Sequence, residues 1–371
     1  MNKTKKERLK KMSPGKSFPA AGLILLPAFL LILLLFGGCG KDQAGERDES
    51  RDKTETEAQA KPQAESFDIA VFIPGAVAGS PLYQQLADGA QAAAEEYEFA
   101  TAKTIEGGFN QGEWLDKVTE LAASQEYELI VSSNPALPEI CAKVANRFPQ
   151  QKFLLFDGYL EGNDQIYTFR YEQREQAFLA GHMAGLISTA EDLPGANEKL
   201  RIGLVAGQEY PDMNDAIKPA FLEGARTVED DIELDFRVVG NWYDASKAYE
   251  LAKEMISTGV DVILPISGGA NQGVLKAAEE SGIYLLWYDS NGYDKAPGTI
   301  LGSTAILQEK AAYEKTKAAI EGKLVFGKAV LVGVEEGWIR FIDDDPLYLE
   351  QVPRELRERQ AAAIEKLSGG E

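Results

Sequence analysis

Residues 259–290, GVDVILPISGGANQGVLKAAEESGIYLLWYDS, constrain the fold more than any other stretch of this chain. Val260 to Ile266 is a short apolar run rich in β-branched residues, as in a strand buried on both faces, and Ser267-Gly268-Gly269 interrupts it. Val274, Leu275, Ala278 and Gly282 then follow helical spacing, with Gly282 marking the helix end before a second apolar run, Ile283 to Tyr288. Two buried strands joined by such a helix run parallel, because the helix must cross over the sheet before the next strand begins. Both strands then end on one side. The glycine turn at Gly268 and Gly269 and the acid at Asp289 are expected at neighbouring carboxyl ends, where open α/β sheets bind their ligands.

The same alternation runs through the chain on both sides of this unit. Phe67 to Ile73 reads as a buried strand stopped by Pro74-Gly75, and the helix from Pro81 presents Leu82, Leu86, Ala90 and Ala93 on one face. A strand near Lys103 to Ile105 precedes the turn Gly107-Gly108 and a helix over Trp114 to Ser124. Leu129 to Ser132, a helix over Pro138 to Phe148, a strand at Lys152 to Phe156 and a fifth strand at Ile166 to Phe169 follow. Gln176 to Ser188 is a helix of small residues that would pack closely through Ala180, Gly181, Ala184 and Gly185. After the polar loop 190–200 the pattern restarts with a strand at Arg201 to Ala206, a helix over Asn214 to Val228, a strand at Leu234 to Val239 and a helix over Ala245 to Thr258. A strand and helix over Ile300 to Gly322, a strand pair at Ala329 to Val334 and Trp338 to Ile342, and a charged helix from Pro353 complete the chain. With 371 residues, 44% of them hydrophobic, there is material for two α/β cores, each a parallel sheet covered by helices.

The N-terminus has a different character. Residues 3–16 are rich in Lys and Arg, and Phe18 to Phe36 is apolar, the layout of a secretory signal. The run is long enough to span a bilayer as an uncleaved anchor, but Leu35-Phe36-Gly37-Gly38-Cys39 resembles a lipobox and favours cleavage ahead of a lipidated Cys39. Residues 40–66 contain almost no large apolar side chains and read as a tether.

Charge excludes several functions. Residues 1–38 carry seven Lys or Arg and one Glu, a net +6, so without them the formal charge falls from −21 to −27. Such a surface repels phosphate backbones, and no nucleic-acid partner is expected. Two cysteines, Cys39 and Cys141, cannot build a disulfide framework, and the single histidine, His182, has no Cys/His cluster around it, so no metal or cofactor is expected. His182 reads as a structural hydrogen-bonding residue, since nothing nearby completes an acid-base set. There is no Walker loop and no nucleophile elbow.

What does recur is a polar or aromatic residue just beyond an apolar strand. Tyr83, Asn134, Asp157, Trp242, Asn271 and Asp289 all stand there or one turn further on. Each has a plain alternative as a helix cap or loop residue. Together with Gly268 and Gly269 they form the expected lining of a ligand cleft, with carboxylates to accept hydroxyl protons and rings to cover an apolar face.

Several motifs in order resemble the basic membrane protein family of bacterial lipoproteins, the substrate-binding proteins of nucleoside ABC transporters. They are KFLLFDG (152–158), EQAFLAGHMAGLIS (175–188), IGLVAG (202–207), VGNWYDASKAYELA (239–252), GVDVILPISGGANQGVLKAAEESG (259–282), YDSNG (288–292) and VEEGWIRF (334–341). The resemblance implies a type I periplasmic-binding-protein fold of two Rossmann-like lobes with crossing strands in a hinge and a ligand cleft between them. On that plan the expected lobes are 67–172 with 292–322 and 173–291 with 323–350, followed by a tail at 351–371. The family's aspartates match Asp157 and Asp289, its glycine turn matches Gly268 and Gly269, and Trp242 replaces the ring of its G-x-F-x-D motif. The family's acidic first loop is absent, its ring falling to Tyr83, and Ile306 stands near the position of a family lysine.

The resemblance implies a non-catalytic, lipid-anchored, monomeric receptor at the cell membrane. It would face the periplasm or exterior and deliver a nucleoside-like ligand to ABC permease and ATPase subunits. Three alternatives stay open: a sensor or surface lipoprotein not coupled to transport, a binding protein for another small ligand such as a sugar, and an enzyme using Asp157 and Asp289 as an acid-base pair on a glycosidic bond.

Overall fold

A computed structural model describes residues 66–369 of the chain. The expected signal peptide at 1–38, the lipidated Cys39 and the tether up to residue 65 lie outside the described residues.

The first half alternates as its periodicity predicts: β1 (Phe67–Ile73), α1 (Pro81–Glu95), β2 (Ala100–Glu106), α2 (Trp114–Ser124), β3 (Leu129–Ser133), α3 (Leu137–Ala145), β4 (Lys152–Phe156) and β5 (Ile166–Tyr171). The second half comprises α4 (Gln173–Ser188), β6 (Arg201–Ala206), α5 (Lys218–Arg226), β7 (Glu233–Val238), α6 (Ala245–Ser257), β8 (Val260–Ile266), α7 (Asn271–Ser281), β9 (Tyr284–Trp287) and β10 (Ile300–Ile306). It is followed by α8 (Gln308–Ile320), β11 (Ala329–Val332), β12 (Ile339–Phe341), α9 (Pro346–Gln351) and α10 (Arg354–Leu367).

The strands form two six-stranded sheets with one plan, β11-β5-β4-β3-β1-β2 and β12-β10-β9-β8-β6-β7. Every pairing is parallel except β10 with β12. The unit from β8 through α7 to β9 is the expected parallel crossover, and all seven residues of β8 are buried. Strands covered on both faces carry no polar alternation, which is why these runs are continuously apolar.

Two expectations about the late strands need correction. β10 pairs with β9 and belongs to the second sheet, whereas β11 pairs with β5 and belongs to the first. The lobe boundaries expected at 292 and 323 are therefore displaced, and β11 and β12 do not pair with each other. The chain crosses between the lobes between β5 and α4, between β10 and α8, and between β11 and β12. Apolar runs of equal strength flank each crossing, so local pattern does not reveal which sheet a strand joins.

The helix α4 is buried along most of its length because the second sheet, α5 and α10 all pack against it. Its small residues have the expected purpose. A Cβ on Gly181 would lie 1.9 Å from the carbonyl oxygen of Phe221, and one on Gly224 of α5 would lie 2.1 Å from that of Phe178, so the two backbones touch where side chains would separate them. The tail is no free appendage: Gln360 of α10 is fully buried, donating from Nε2 to the Leu179 carbonyl at 3.1 Å and accepting from His182 Nδ1 at 2.7 Å. His182 is thereby a packing residue held below the usual imidazole range by burial.

Candidate functional site

The identical strand orders place equivalent positions of the two lobes at the carboxyl ends of their sheets. Asp157 directly follows β4, and Asp289 stands two residues beyond β9, the strand at the same place in the second sheet. Both adopt left-handed backbone, with φ of 58° and 65°, a conformation that Asp tolerates better than most side chains. The turn leaves each carboxylate at the sheet edge instead of within the strand.

One helix end serves both acids. Gln173 and Gln176, three residues apart in the first turn of α4, share a face; Gln173 Nε2 donates to Asp157 Oδ1 at 2.7 Å and Gln176 Nε2 donates to Asp289 Oδ1 at 3.1 Å. Gln176 also reaches Thr304 Oγ1 of β10 at 3.3 Å. The first bond ties an acid of the first lobe to a helix of the second.

Electrostatics follow from this crowding. Both carboxyls keep some contact with solvent, but protein surrounds them. Burial pushes Asp157 up to about 8, aided by the charges of Asp289 and Asp212 and opposed by the Gln173 bond and Arg170. Burial raises Asp289 to about 6 against the Gln176 bond. Arg170 of β5 pairs across the lobes with Asp212 at 2.7 Å. Asp212 leads into a single π-helical turn, Met213–Ile217, a local irregularity that is common beside functional sites.

The remaining expected residues fall into two groups. Tyr83 is packed by protein and pushed up to about 12, chiefly by burial; the Asn134 carboxamide beside it offsets part of that rise, and the Asp157 charge adds to it. Trp242 lies against the end of β6, where a Cβ on Gly207 would be 2.5 Å from its Cε3, and its ring centroid is 6.1 Å from that of Tyr210. Gly268 and Gly269 are exposed in the short turn after β8, and a Cβ on Gly268 would lie 3.0 Å from the Trp242 carbonyl oxygen. By contrast, Asn271 Oδ1 accepts from Ser267 N at 2.8 Å and from Ser267 Oγ at 2.7 Å, and Asn134 Oδ1 accepts from Ala136 N at 2.9 Å. For these two oxygens the plain capping role is filled.

Several residues of the cleft were not anticipated. Tyr210 and Tyr288 are packed by protein beside the acids, and the charges of Asp157 and Asp289 help to raise both phenols. Tyr210 obeys the post-strand pattern, four residues beyond β6, and could have been found by it. Gln173, Gln176, Arg170 and Asp212 carry no such signal. Across the mouth, Phe109 of the first lobe meets Tyr243 of the second, with centroids 5.8 Å apart. Among the described residues no three His, Cys, Asp or Glu side chains converge as a metal site.

Residues 67–370 match the family described as Bmp, ABC transporter substrate-binding protein PnrA-like. The chain is 25% identical over 158 residues to the ABC transporter nucleoside-binding protein BmpA of Lactococcus lactis, covering 43% of this chain and 42% of that one. It is 23% identical over 190 residues to the CD4+ T-cell-stimulating antigen of Listeria monocytogenes, covering 49% and 50%. The match thus spans about half the length of these curated relatives. A solute-binding protein of an ABC transporter system from Aeropyrum pernix superposes with a TM-score of 0.68 at 23% identity, covering 82% of this chain and 86% of that one. This likeness bears on the fold, which is the expected two-lobed type I periplasmic-binding-protein architecture.

Proposed function

The chain belongs to the Bmp family of PnrA-like ABC transporter substrate-binding proteins, and from that premise we propose that it captures a nucleoside-like small molecule between its lobes for an ABC permease and ATPase. The observation that carries this reading is the pairing of Asp157 and Asp289, one from each lobe, on the two carboxamides of one helix end. A ligand that donates to both acids joins the lobes, which is how a hinged receptor converts binding into closure. Tyr83, Tyr210 and Trp242 supply flat apolar faces for a ring. Similarity to the nucleoside-binding protein BmpA of Lactococcus lactis supports that ligand class.

Catalysis is not needed to account for the acids. Their oxygens are arranged as acceptors, and the ordinary function of the family is solute binding. The chain is also proposed to act as a monomer outside the cytoplasm, held by lipid on Cys39. Cys39→Ser should then release it from the membrane fraction, whereas retention of a full-length, uncleaved chain would mean that residues 18–36 are the anchor.

Calorimetric titration of the purified protein with nucleosides, free bases, sugars and amino acids tests the ligand class. Binding at 100 times the dissociation constant should stabilise the fold by roughly 2.7 kcal/mol, which a parallel melting experiment detects. Binding of sugars or amino acids with no response to nucleosides would overturn the nucleoside reading and leave the receptor reading intact.

A further inference from the structure

The cleft collects three carboxylates, Asp157, Asp212 and Asp289, against one guanidinium, Arg170, which is committed to Asp212. Arg170 also acts on Asp157, and among the described residues no Lys or Arg forms an ion pair with Asp289. The acceptors are also incompletely used. Gln173 and Gln176 each bond only Oδ1 of their aspartate, and among the described residues no protein donor is bonded to either Oδ2. Gln176 is itself fully buried, and its carboxamide oxygen, on the group that holds Asp289, bonds to nothing. The two aspartate Oδ2 atoms therefore lack protein donors, as does the buried carboxamide oxygen of Gln176, and near neutral pH the charge sits chiefly on Asp289, because Asp157 is held at about 8.

A neutral hydroxyl can supply donors but leaves the excess negative charge in place. An ammonium supplies both, since it brings three donors and a positive charge on one atom. The aromatic lining of Tyr83, Tyr210, Trp242 and Tyr288 is compatible with such a ligand, because ring faces attract cations when water is excluded. Burial holds both acids above the usual carboxylate range, and the charge of Asp289 raises Asp157 further, as expected of a pair whose counter-charge comes from outside the protein.

We propose that the cleft selects ligands carrying a positive charge at the end that meets Asp157 and Asp289, amine-bearing nucleosides or comparable organic cations, over their neutral counterparts and against anions. The inference rests on the substrate-binding reading of the cleft.

Calorimetric titration of the purified full chain near neutral pH with adenosine, 5′-amino-5′-deoxyadenosine, adenosine 5′-monophosphate and choline tests it. The amine is expected to bind at least about tenfold more tightly than adenosine, and the monophosphate not measurably. Asp157→Asn and Asp289→Asn, which keep a side chain suited to left-handed backbone, should each shrink the preference for the amine to about threefold or less. Equal or tighter binding of adenosine, or comparable binding of the monophosphate, would overturn the inference while leaving the nucleoside reading standing. Binding of choline alone, whose quaternary nitrogen has no N–H to donate, would overturn the inference and remove the nucleoside reading. Absence of binding by all four probes would overturn the inference.

Discussion

Phe109 and Tyr243 meet ring to ring across the mouth of the cleft, 5.8 Å between centroids, while remaining 52% and 63% exposed. Rings this exposed gain little from burial, so their contact favours the closed arrangement without stabilising either lobe. Phe109→Ala and Tyr243→Ala should each leave the unliganded unfolding free energy within about 0.5 kcal/mol of the parent. Either should also speed ligand release about 2- to 10-fold, the effect of losing an aromatic pair worth about 0.5–1.5 kcal/mol. Stopped-flow fluorescence measures the release, and an unchanged rate in both variants would mean that the contact is incidental.

Asp157 couples stability to pH. Its carboxyl is held at about 8 in the folded protein and returns to about 3.9 on unfolding. Between those values the folded state binds more protons than the unfolded one, so this contribution is complete at acidic pH and is lost as pH rises through about 8. Asp157→Asn removes the linkage and should make the unliganded protein about 1–3 kcal/mol more stable than the parent at pH 8, with little difference near pH 4. Denaturant melts across that range check the sign.

Trp242→Ala should weaken ligand binding by about 1–3 kcal/mol, the cost of removing a base-stacking ring, while Trp242→Phe keeps much of the affinity. Gly207→Ala offers an independent route to the same result, because its Cβ would fall 2.5 Å from the indole and displace it without removing it. Titration of both variants, with circular dichroism to verify folding, separates a stacking ring from a packing one. A folded Trp242→Ala with parental affinity excludes this residue from the site.

Gln360→Ala should cost about 1–3 kcal/mol of stability by leaving His182 and the Leu179 carbonyl without their buried partner. Ligand affinity should not change, since Gln360 of α10 bonds α4 at Leu179 and His182, whereas the acids bond it at Gln173 and Gln176. Urea unfolding and calorimetry on one preparation test both parts.

The alternation of β8, α7 and β9 was legible because periods of apolar residues record burial directly, and the glycine-rich α4 was legible because close helix contact needs small residues. Sheet membership was not, as β10 and β11 show: a strand next to a crossing is equally apolar whichever lobe receives it. Within the site, Asp157 and Asp289 could be read from their place after apolar strands. Gln173 and Gln176 could not, because polar residues in the first turn of a helix look like solvent-facing ones until the tertiary fold sets an acid opposite each. Arg170 and Asp212, 42 positions apart in sequence, meet only because the lobes do. The tail read correctly as a charged helix, but one buried glutamine among many charges gave no sign of docking.

The left-handed backbone at Asp157 and Asp289 also bears on how this protein can evolve. Few side chains tolerate that conformation, so the acceptable replacements at either position are few, and asparagine is foremost among them. Exchange of Asp for Asn alters the charge of the cleft without asking the backbone to move. A lineage can therefore change the charge at the base of the cleft by a single conservative step at each lobe while the scaffold stays constant, and descendants with the same fold need not share one electrostatic preference.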